Sequence, residues 1–91
     1  MSVTVVYDVA FHRALQAVPR EDVPRVLAVR NQIVADAPNL PALVDALSVE
    51  ALPDVRYTRH VPLTPWVIEY AWRIATQTLL LRTVSAPDPP F

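Results

Sequence analysis

The chain has 91 residues, of which 53% are hydrophobic and 19% charged, with a formal net charge of −1; that length holds one core, and that composition folds. It contains no cysteine and no glycine, and its eight basic residues are all arginines. Disulfides, thiolate metal sites, cysteine nucleophiles, glycine-dependent phosphate loops and lysine chemistry are thereby excluded, and the near-neutral charge argues against a broad grip on nucleic acid.

No basic head precedes a long apolar run, and no apolar run approaches the ~20 residues of a membrane span. A chain without a signal peptide, in a reducing cytoplasm, is expected.

"VTVVYDV" (3–9) is β-branched and predicts a strand with Val3, Val5, Tyr7 and Val9 on one side. The period then changes: Phe11, Ala14, Leu15 and Val18 fall at i, i+3, i+4 and i+7, the stripe of a short helix that Asp8 is placed to cap and Pro19 to end. A second helix follows over 21–38. Pro24 pins its start, Glu21 and Asp22 bring negative charge to its positive end, and Val23, Val26, Leu27, Ile33 and Val34 form its stripe before Pro38 stops it. Glu21 and Arg25 are spaced for an i, i+4 ion pair. "NLPALVDAL" (39–47) predicts a further short helix, and 48–54 a connector.

From Val55 the two-residue period returns, in strands over 55–63, 66–74 and 78–86 joined by short links. Pro62 restricts its strand to an edge or a bulge. In "WVIEYAWRI" (66–74), Trp66, Ile68, Tyr70, Trp72 and Ile74 share one side, and each aromatic ring buries roughly 150–250 Å². The element order is β-α-α-(short α)-β-β-β. It predicts an α+β domain over 1–86, with a helical hairpin on one face of a small antiparallel sheet and a loose proline-rich tail at 87–91.

Pairing these strands in order leaves a polar outer face. Arg56, Thr58 and His60 alternate along one strand, and Glu69 and Arg73 point the same way from the next. Two guanidiniums, an imidazole that titrates near neutral pH and a carboxylate suit a phosphodiester: cations hold the phosphate and a base takes a hydroxyl proton. The plainer reading is a solvated or partner-covered face, since exposed Glu–Arg pairs contribute only about 0.2–1 kcal/mol. Arg59 and Arg82 carry the opposite parity, with Tyr57 and with Leu80 and Val84, and imply snorkelling from the sheet edge or a register slip. His12, off its helix stripe, reads as a surface residue.

The order of elements, with "VTVVYDVAFHRAL" at 3–15 and "VRYTRHVPLTPWVIEYAWRIATQTLLLRTV" at 55–84, resembles the RelE/ParE superfamily of toxins from bacterial type II toxin–antitoxin pairs. RelE-type members cleave messenger RNA on the ribosome without a metal, and ParE-type members poison DNA gyrase. The resemblance therefore implies a cognate antitoxin, a hetero-oligomer with it, and either the ribosome and mRNA or DNA gyrase as target, with no cofactor, metal or membrane.

Matching Tyr70 to the family's strand tyrosine puts Val67 where RelE-type members carry an arginine on the third strand. Thr58 and His60 then fall near the two second-strand lysines, and Pro87 near the arginine after the last strand. An endoribonuclease of this kind would thus use an altered set, with His60, Arg56 and Arg73 as catalytic residues and Arg59, Glu69 and Arg82 contacting RNA or a partner. The alternative is a non-enzymatic interaction module, a ParE-like gyrase inhibitor or a degenerate toxin that only binds its antitoxin. A small dimeric α+β protein of another kind is the third class.

Overall fold

The computed structural model describes residues 3–39, 54–73 and 76–86. Strand β1 (Thr4–Tyr7) leads into helices α1 (Val9–Ala17) and α2 (Val23–Asp36), which ends in a 3-10 turn at Ala37–Asn39. Strands β2 (Val55–His60), β3 (Val67–Arg73) and β4 (Thr78–Ser85) follow, and the sheet order is β1-β4-β3-β2. The last three strands form the expected antiparallel meander. β1 adds to its β4 edge in parallel, from Thr4 opposite Thr78 to Tyr7 opposite Leu81, so the sheet is mixed. A parallel neighbour needs a long crossover, and the whole chain between β1 and β4 supplies it.

Local chemistry accounts for the ends of the elements. Asp8 is extended, and its side chain accepts the Ala10 N–H at 2.9 Å, which turns β1 into α1. Pro24 lies in the first turn of α2. Glu21 precedes α2, which starts only at Val23, and among the described residues no ion pair joins it to Arg25. The Asp22 carboxylate does not cap α2 either. It accepts the Trp66 indole N–H at 3.0 Å and ties the β2–β3 hairpin to the start of that helix.

The core is the layer between helices and sheet. Phe11 and Val18 of the first hairpin segment, Val26, Val29, Ile33 and Ala37 of the second, and Ile68, Tyr70, Trp72, Leu79, Leu81 and Val84 of the sheet are all buried. The buried line of α2 runs 26, 29, 33, 37, so Val29, outside the predicted stripe, lies at its centre and Leu27 is only half-buried. Trp66 is half-buried against the core. The Trp72 indole N–H is buried without a hydrogen-bond partner among the described residues. The helix expected over 39–47 falls, from Leu40 on, outside the described residues, as do Ile74 and the 87–91 tail.

β2 stops at His60, earlier than expected, because Pro62 has no N–H to continue the ladder. The turn is closed by Val61 N–H to Trp66 O at 2.9 Å and by Thr64, whose hydroxyl donates to Val61 O at 2.9 Å and accepts from Trp66 N–H at 3.1 Å. Leu63, at φ 66°, and Gln77, at φ 49°, adopt left-handed backbone in a chain that has no glycine to place there.

Candidate functional site

Opposed residues in a sheet share a face, so the register sorts the strands into rows. Val55–Trp72–Leu79, Tyr57–Tyr70–Leu81 and Arg59–Ile68–Val84 face the helices. Arg56–Ala71–Leu80, Thr58–Glu69–Thr83 and His60–Val67–Ser85 form the outer face. The Tyr57 and Tyr70 rings stack at 5.4 Å and 18°, which stiffens the β2–β3 pair beneath that face.

The ladder is irregular at one place. Glu69 pairs with Thr83 and Tyr70 with Leu81, which leaves Arg82 as the extra residue of a β-bulge. The bulge explains the odd parity of "TLLLRTVS": Leu79 and Leu81 face the core, one residue is skipped, and Val84 faces it again. Arg82 is thereby aimed outward beside Glu69. A cavity of about 200 Å³ opens there, lined by Arg56, Tyr57, Thr58, Glu69, Tyr70 and Arg82. Arg56, Glu69 and Arg82 surround it without any ion pair or hydrogen bond to one another among the described residues. Two cations and one carboxylate, all exposed or half-exposed, are left for a ligand that brings an anion and a hydrogen-bond donor together.

The other sequence-selected residues lie around this cavity without joining it. His60 is at the hairpin end of β2, four residues from Arg56, or about 13 Å along a strand. Its Nε2 lies 2.7 Å from the Thr64 carbonyl oxygen. A carbonyl can only accept, so Nε2 carries the proton and a neutral ring has Nδ1 free. Arg73 is at the opposite end of β3 from the residue paired with His60, about 20 Å away. It is held bidentately by Asp54, with Nε–Oδ1 at 3.1 Å and the second nitrogen–Oδ2 at 3.2 Å. Arg59 lies on the helix-facing side and reaches from the sheet edge to Asp36 at the end of α2, 3.3 Å away. It snorkels, as its parity implied, and takes no part in the outer-face cavity. Val67 and Thr58 occupy the outer face, and Pro87 is outside the described residues.

The Arg73 guanidinium holds the Asp54 carboxyl below its ordinary value, against a smaller opposing effect of desolvation and with help from the positive charges of Arg82 and Arg56. Asp54 in turn raises Arg73. A depressed carboxyl pKa contributes stability above the unfolded value of 3.8 and loses it as the pH falls through the lower folded value. Thermal unfolding should therefore show wild type above Asp54→Asn at pH 7, with the gap closing below pH 3.8. A gap of constant size across that range would mean that the pair does not contribute. Asp54 was not singled out from sequence, because it sits in the predicted connector one residue before the strand.

No family model and no curated protein sequence matches the chain. Two solved structures do. One, the intact E. coli RelBE toxin–antitoxin complex, superposes with a TM-score of 0.66 over 97% of this chain and 100% of that one, at 9% identity. The other, an archaeal RelE–RelB complex from Pyrococcus horikoshii OT3, superposes with a TM-score of 0.60 over 99% and 100%, at 15% identity.

The chain has the RelE-like fold. At those identities the likeness lies in the path of the backbone, over nearly the whole chain.

Proposed function

We propose that the chain is the toxin-type component of a toxin–antitoxin pair, acts on RNA through the outer sheet face, and is held inactive by an antitoxin. The observation that carries this reading is the cavity between Arg56, Glu69 and Arg82 on a RelE-like fold whose two structural neighbours are toxin–antitoxin complexes. An RNA phosphodiester offers what the cavity lacks: an anion for two guanidiniums and, in its 2′-hydroxyl, a donor for the carboxylate. In the proposed step Glu69 takes the 2′-hydroxyl proton, O2′ bonds to the adjacent phosphorus, and the bond from phosphorus to O5′ breaks. The leaving oxygen takes its proton from water, and a 2′,3′-cyclic phosphate remains. Arg56 and Arg82 hold the charge that grows on the phosphorus oxygens. His60 and Arg73 contact the RNA on either side.

A second reading has its own support. Arg73 is engaged by Asp54 and His60 by the Thr64 carbonyl, as in a face that binds without reacting. In that case the chain is an interaction module, a gyrase-type inhibitor or a partner-binding relic.

Induced expression in bacteria, with ribosome-dependent mRNA cleavage assayed in parallel, separates the two. The enzymatic reading expects growth arrest and cleavage from wild type, with both lost when Arg56, Glu69 and Arg82 are replaced together by alanine. Arrest that survives the triple replacement without cleavage establishes the module.

A further inference from the structure

Arg73 is the last residue of β3, and the side chain that meets it from the β2 side is that of Asp54, one residue before the ladder begins at Val55 and Trp72. Asp54 has no place in that ladder, so side chains alone close the open end of the β2–β3 pair. By alternation Arg73 shares the outer face with Ala71, two residues or about 7 Å back along β3, and Ala71 is opposite Arg56. Arg73 therefore lies beside the Arg56–Glu69–Arg82 cavity without lining it.

The Asp54 carboxylate spends both oxygens on that one guanidinium and feels the positive charges of Arg82 and Arg56 as well. It is a two-oxygen anion set on the fork of one arginine and in the field of two more. A phosphate would find the same surroundings there, since carboxylate and phosphate fit a guanidinium in the same bidentate way. Little fastens the carboxylate in place. Among the described residues it has no other partner. The Arg73 and Asp54 side chains are 52% and 28% exposed, and a pair so open to water is screened by salt and contributes little to stability. An arriving phosphate brings the charge that the carboxylate takes away.

We infer that Arg73 is the seat of a second RNA phosphate and that Asp54 is its built-in occupant, displaced when a strand bound in the cavity extends along β3. The inference rests on the reading of the outer face as an RNA surface, and it names what that surface selects. A ligand with one phosphate, held by Arg56 and Arg82, leaves the Asp54–Arg73 pair closed. A single strand that offers a further phosphate, with its oxygens turned to the guanidinium, opens it. The contact thus favours a continuous strand over an isolated nucleotide.

The test uses the full chain and a single-stranded 2′-fluoro RNA of about 10 nucleotides, which has no O2′ to attack phosphorus, so that binding is read without cleavage. Anisotropy titrations over a salt series give the slope of log affinity against log salt. Asp54→Asn is expected to steepen that slope by about 0.7 and to tighten binding about fivefold at ~0.1 M salt, the effect of one added phosphate contact on a single strand. Adding Arg73→Ala to Asp54→Asn should return the slope to the wild-type value. Asp36→Asn removes the same charge beside Arg59 on the helix-facing side, where salt screens it, and should move the affinity by less than about twofold. In wild type, saturating RNA should displace the Arg73 Nε–H resonance as its acceptor changes from carboxylate to phosphate. Asp54→Asn is also expected to melt earlier at pH 7, so binding and stability should move in opposite directions, which a purely structural pair does not produce. RNA binding with a slope that Asp54→Asn leaves unchanged overturns the inference alone, as does an Arg73 resonance that stays in place. Equal gains from Asp36→Asn and Asp54→Asn overturn it in favour of net charge. No RNA binding by any variant overturns it together with the reading on which it rests.

Discussion

Replacing Arg82 with alanine is expected to lower the rate of the proposed RNA cleavage by about 10²–10³-fold, the usual cost of removing one preorganised donor from a developing oxyanion. The argument starts from the bulge. An unpaired ladder residue is re-aimed rather than packed, so Arg82 can serve the outer face without being needed in the core, which Leu81 and Val84 fill on either side of it. Among the described residues its side chain makes no hydrogen bond or ion pair whose loss would unfold the sheet. The variant should accordingly melt close to wild type, and the effect should appear in kcat with the circular dichroism unchanged. Arg82→Lys keeps the charge but loses the planar fork, and its rate should fall between the two. An alanine variant that cleaves at the wild-type rate would remove Arg82 from the mechanism, and with it the reason for reading the bulge as a device of the site.

The largest stability effect is expected at Phe11. Its ring is 1% exposed, lies 5.7 Å from the Tyr7 ring at 55°, and joins α1 to the core between helices and sheet. Phe→Ala in such a place costs about 3–5 kcal/mol, from lost transfer energy and the cavity left behind. Against a total of ~5–15 kcal/mol for a native domain, that is enough to leave the variant partly unfolded at growth temperature. Urea titration of Phe11→Ala should show a much lower midpoint at nearly unchanged slope. A midpoint shift equivalent to less than ~1 kcal/mol would mean that α1 is not anchored through this ring. Val18→Ala, at the end of the same helix, removes fewer atoms and should cost less.

What could be read from sequence was the part set by neighbours in the chain. The alternation of Ile68, Tyr70 and Trp72, the Asp8 cap and the Pro24 start are local features, and each stands where it was placed. What escaped is set by residues far apart in the chain. The parallel seat of β1 on β4 follows from closing the whole fold, and nothing within four residues of Val5 signals it. Arg82 shared a parity with Leu80 and Val84 that no regular strand accommodates; the skipped beat between Leu81 and Val84 was a visible sign of a bulge that a strict two-residue period reads as an anomaly. The partners of Arg59 and Arg73 come from α2 and from the residue before β2, so neither ion pair follows from the alternation within a strand.

The bond from the Trp66 indole to Asp22 spans 44 positions of sequence and fastens the hairpin to the head of a helix. The hairpin and the head of α2 are thus pinned to each other at this point, and any movement that separates them must stretch this bond. Because that pin is itself a chromophore, ultraviolet emission at this junction senses strain on the clasp without any label attached.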